Sequence, residues 1–75
     1  MADAGGPDLH QRYYAYLLDR VRSDRYPSAA MLDMLERNIA SEQERTELVD
    51  ALLEKVQDNR YPSLPMLRRI ARIAG

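Results

Sequence analysis

Apolar residues recur at helical spacing in four stretches of the chain, each separated from the next by a short polar or proline-bearing phrase. In the first stretch Leu9, Tyr13, Tyr16, Leu17, Arg20 and Val21 share one helical face. Tyr14 and Leu18 widen that face enough to meet two neighbours, and Asp8 is placed to act as N-cap. Ser23-Asp24-Arg25 breaks the pattern, and Tyr26, directly before Pro27, is pushed towards an extended conformation. Ser28 then caps a second helix whose buried edge is Met31, Leu32, Leu35 and Ile39, with Ala30 and Met34 beside it and Asp33, Glu36 and Arg37 facing water.

Near Ala40 this helix yields to Ser41-Glu42-Gln43-Glu44, a capping box in which Ser41 and Glu44 can satisfy each other's free amides. The third helix sets Leu48, Val49, Leu52, Leu53 and Val56 against an acidic face and stops at Asp58-Asn59. Ser63 is placed to cap a fourth helix that tolerates Pro65 in its first turn and buries Met66, Leu67, Ile70, Ile73 and Ala74.

The pattern repeats. Arg25-Tyr26-Pro27-Ser28 returns as Arg60-Tyr61-Pro62-Ser63, and the same offset of 35 positions pairs Leu17 with Leu52, Leu18 with Leu53, Val21 with Val56, Met31 with Met66, Leu32 with Leu67 and Arg37 with Arg72. The expected fold is all-α: a small four-helix bundle made of two duplicated helix-corner-helix hairpins. Residues 1–8 form a flexible leader and 9–75 a single domain, with repeat one at 9–40, repeat two at 41–75 and a pseudo-twofold between them. In each corner proline sets the turn, serine caps, and tyrosine is expected to lay its ring over the hairpin mouth.

Composition changes this picture in three ways. A chain of 75 residues buries a modest share of its surface, so a thin core and self-association are expected together. Five tyrosines stand without any Phe or Trp, and a tyrosine ring prefers burial while its hydroxyl still needs a partner. The net charge of −1 hides an asymmetry. Positions 41–60 carry six acids and three bases, whereas 61–75 carry Arg68, Arg69 and Arg72 with no acid.

The sequence offers little for catalysis, and an enzyme is not expected. There is no cysteine, and the one histidine, His10, reads as an exposed residue at a helix start without further donors for a metal. No glycine-rich loop follows a strand to hold a phosphate, and no cofactor is expected. Without a signal-peptide pattern or an apolar run of membrane length, and without disulfides, the expected location is the cytoplasm, away from membranes.

What remains is a non-catalytic protein-interaction module, a small adaptor, regulatory or assembly protein that self-associates as a homodimer or binds an unidentified protein. Its expected surface joins Tyr13, Tyr14 and Leu18 of the first helix to Arg68, Arg69 and Arg72 of the fourth. The three arginines are expected to complement the acidic third helix of the same chain or of another. The competing expectation is a helix-turn-helix-like regulator that lays this basic fourth helix along nucleic acid, although three cations beside an acidic helix give a weak attraction to phosphate.

Overall fold

A computed structural model of the chain describes residues 6–58 and 64–75, and these hold four helices and no strand. They are α1 (Gly6–Ser23), α2 (Ala29–Arg37), α3 (Glu42–Asp58) and α4 (Leu64–Ala74). The all-α, four-helix expectation holds. Among these residues no helix is long and apolar enough to cross a membrane.

The helix ends follow local chemistry with several shifts from expectation. α1 begins at Gly6, so Pro7 and Asp8 lie within its first turn and Asp8 is not the cap; proline's fixed φ suits such an opening position. Ser28 caps α2 as expected: its backbone is extended and its Oγ accepts from the Met31 amide at 3.1 Å. α2 stops at Arg37, short of Ala40, because Asn38 turns its own side chain back and donates from Nδ2 to the Met34 carbonyl at 2.7 Å. Ser41 accepts from the Glu44 amide at 3.1 Å, one arm of the capping box. The return arm lands one residue earlier than the motif requires, with the Glu44 carboxylate accepting from the Ala40 amide at 2.8 Å. The second corner, with the expected stop at Asn59, the ring of Tyr61 and the cap at Ser63, lies outside the described residues.

Replacing Ser28 by Ala should cost about 1 kcal/mol without altering helical content, because one amide of the first α2 turn loses its acceptor. Urea unfolding followed by circular dichroism measures this directly, and an unchanged midpoint would show that the cap contributes nothing.

The core collects Tyr14, Leu17, Leu18 and Val21 of α1, Leu32 and Leu35 of α2, Leu48, Ala51 and Leu52 of α3, and Ile70 and Ile73 of α4. α1 packs on α2 and on α3, and α3 packs on α4. This rotates α1 relative to the expected face. Tyr14 and Leu18, read from sequence as an outward widening, are core residues, while Leu9, Tyr13 and Tyr16 are exposed. The reason is that α1 must serve two neighbours, and the stripe Tyr14, Leu17, Leu18, Val21 lies between both. Tyr26 does not cover the hairpin mouth; the residue is 77% exposed.

Side-chain contacts between the halves join residues 30 to 36 apart, close to the sequence offset of 35. They advance in step. His10 meets Glu44 and Arg22 approaches Glu54, while Asp33 meets Arg69 and Glu36 meets Arg72. α1 therefore runs parallel to α3, and α2 to α4. A twofold would give equivalent positions equal burial, and they do not have it. Leu18 and Leu32 are buried, yet their equivalents Leu53 and Leu67 are each 39% exposed. Leu48 and Ala51 are buried, yet their equivalents Tyr13 and Tyr16 are 41% and 62% exposed. The pseudo-twofold expectation fails on this asymmetry.

Candidate interaction surface

Of the six residues expected to meet a partner, the structure leaves Tyr13, Arg68 and Arg72 exposed, Arg72 while paired within the chain. Tyr14 is withdrawn into the core, where its hydroxyl lies 3.4 Å from the Glu44 carbonyl oxygen, a long and weak donation. Burial, followed by the charges of Glu44 and Glu47, pushes the Tyr14 phenol up to about 12. Leu18 is likewise closed off, bordering a shallow groove shared with Glu47 of α3.

Arg69 and Arg72 are engaged within the chain, and not with the acidic α3. The Arg69 guanidinium donates from Nη1 to Asp33 Oδ1 at 2.8 Å and to Glu36 Oε1 at 2.9 Å. Arg72 grips Glu36 with a fork, Nε to Oε2 at 2.6 Å and Nη2 to Oε1 at 2.9 Å. Asp33 and Glu36, expected to face water, thus form the α2 side of an ion-pair cluster that fastens α4. The Arg72 fork is the largest cause holding the Glu36 carboxyl below the usual glutamate range, against the opposing effect of burial, and the same bond raises Arg72. The signal was present in the sequence, since these acids and arginines stand 33 to 36 positions apart, near the repeat offset.

His10 is not a free surface residue either. Its Nε2 lies 2.9 Å from Glu44 Oε2 and 3.1 Å from Oε1, and its ring sits 5.9 Å from that of Tyr14. Burial alone would raise the Glu44 carboxyl, but the bonds from His10 and the Ala40 amide, helped by charge on His10, outweigh it and leave the carboxyl below its ordinary value. One carboxylate therefore ties the start of α1 to the link before α3. At the far end of the same interface Lys55 of α3 donates from Nζ to the Arg22 carbonyl at 2.7 Å and to the Asp24 carbonyl. This places a cation on the negative end of the α1 dipole. Sequence reading missed both contacts, because each depends on the register of α1 against α3.

Besides Tyr26 and Met34, the large apolar residues left exposed fall on α1 and on α3 with α4. Leu9, Tyr13 and Tyr16, at spacings of four and three, form a stripe on the side of α1 turned away from the core. Leu53 of α3 and Leu64 and Leu67 of α4 form the second exposed group. Among the described residues no three His, Asp or Glu side chains gather as a metal site would require, and no buried side-chain polar atom lacks a partner. Compared with known proteins, the chain matches no family model, no curated protein and no solved structure.

Proposed function

We propose that the protein is a non-catalytic interaction module that binds protein through the outer stripe of α1, Leu9, Tyr13 and Tyr16. The observation that supports this most is the exposure of two tyrosine rings and a leucine in line on a helix whose opposite face already completes the core. Tyrosine rings offer large contact area at small entropic cost, which suits them to an interface core. The basic α4 offers less to nucleic acid than its composition suggests, since Arg69 and Arg72 already neutralise Asp33 and Glu36.

The test is Tyr13→Asp combined with Tyr16→Asp. Both rings are solvent-facing, so helicity and melting temperature should stay near those of the parent. Association with itself or with a protein captured by the parent, read as mass by light scattering, should be lost. A parent that remains at 8.7 kDa at every concentration and captures nothing that the double variant fails to capture would overturn the reading.

A further inference from the structure

Resting on that interaction reading, we infer that the partner is a second copy of this chain, stacked end to end so that its α1 lies along the α3 of the first. The joint inside one chain then recurs between chains.

The argument comes from how burial alternates between the halves. A helical hairpin displaced along a stack has a forward side, which meets the next hairpin, and a rear side, which meets the previous one. Leu18 and Leu32 are buried in the first hairpin, which has a successor, and their equivalents Leu53 and Leu67 are exposed in the second, which has none. Leu48 and Ala51 are buried in the second hairpin, which has a predecessor, and their equivalents Tyr13 and Tyr16 are exposed in the first, which has none. Two equivalent pairs, Leu17 with Leu52 and Leu35 with Ile70, are buried in both halves. Tyr13 with Tyr16, and Leu53 with Leu67, are thus the two unused sides of one repeating contact.

Charge supports the same register. Within the chain, Lys55 seals the C-terminal carbonyls of α1. Its equivalent is Arg20, a half-exposed cation 3.6 Å from Asp24 in its own chain, and in the stack Arg20 of the second copy turns to the C-terminal end of α3 in the first. Two differences make this joint weaker than the internal one. Tyr16 stands where Ala51 closes the internal contact, so a ring must be housed between chains. Arg68 and Ala71 stand where α2 carries Asp33 and Glu36, so the ion-pair cluster has no counterpart. Assembly is therefore concentration-dependent, and a head-to-tail contact that does not close extends into longer chains.

Two blocked variants decide the matter. One carries Tyr13→Asp and Tyr16→Asp, the other Leu53→Asp and Leu67→Asp, with circular dichroism confirming that each folds; if the second loses helicity, Leu53→Gln with Leu67→Gln replaces it. Each variant alone should be a monomer by light scattering, and an equimolar mixture should give a one-to-one dimer, while the mass of the parent climbs with concentration. If the variant blocked at Leu53 and Leu67 dimerises alone and mixing adds nothing, the contact is an α1-to-α1 twofold; stacking is overturned and the interaction reading survives. If the parent is monomeric throughout, stacking is overturned, and only capture of a different protein that depends on Tyr13 and Tyr16 preserves the interaction reading.

Discussion

Tyr14→Asp should unfold the chain, not merely detach it from a partner. Tyr14 is 2% exposed, between α1 and α3, and the substitution removes a buried ring while placing a carboxylate where water does not reach. Loss of a buried aromatic and introduction of an unpaired charge together cost about 4 kcal/mol or more. A domain of this size has roughly 4–11 kcal/mol in total, so helicity at 25 °C should fall sharply or the melting temperature collapse. Tyr14→Phe separates the ring from the hydroxyl: the 3.4 Å bond to the Glu44 carbonyl is weak, and losing it should cost less than about 1 kcal/mol. A Tyr14→Asp protein that melts like the parent but no longer associates would place this ring at an interface after all.

Glu44→Ala is the second large effect. Its carboxylate accepts from the Ala40 amide and from His10, and its loss frees both at once, which should cost about 2 kcal/mol in urea unfolding. The pH dependence identifies the cause. The Glu44 carboxyl lies below its ordinary 4.5 in the folded chain, so its contribution is complete above that value and disappears as pH falls through the depressed one. The gap between parent and variant should therefore be fully present above about pH 4.5 and narrow as pH falls further. A gap that stays constant down to the acid limit would mean that Glu44 acts through packing and not through its charge.

The extent to which the fold was legible follows from which forces are local. Ser28 and Ser41 could be assigned as caps because a cap is decided within four residues, and the four helices because apolar spacing is written along each of them. The facing of α1 was not legible. Tyr13, Tyr14, Tyr16, Leu17 and Leu18 spread apolar character over more than half of the helix circumference, so periodicity alone cannot say which side a neighbour takes. The repeat held the missing information. Equivalent positions that differ in character, such as Tyr16 against Ala51 or Glu36 against Ala71, mark the sides that one hairpin presents and the other does not. The pairing of Arg69 and Arg72 was not legible for a related reason: their countercharges lie on α2, which composition treated as solvated, and not on the more acidic α3.

The seal at the end of α1 has a chemical corollary. Lys55 is the sole lysine in the chain, so apart from the N-terminus it carries the only primary amine, and that amine donates to the Arg22 and Asp24 carbonyls. Acylation, whether by an acetyl donor or by an amine-reactive label, removes its charge and two of its donors. Tagging this protein through its side-chain amine would thereby loosen the packing of α3 on the first hairpin.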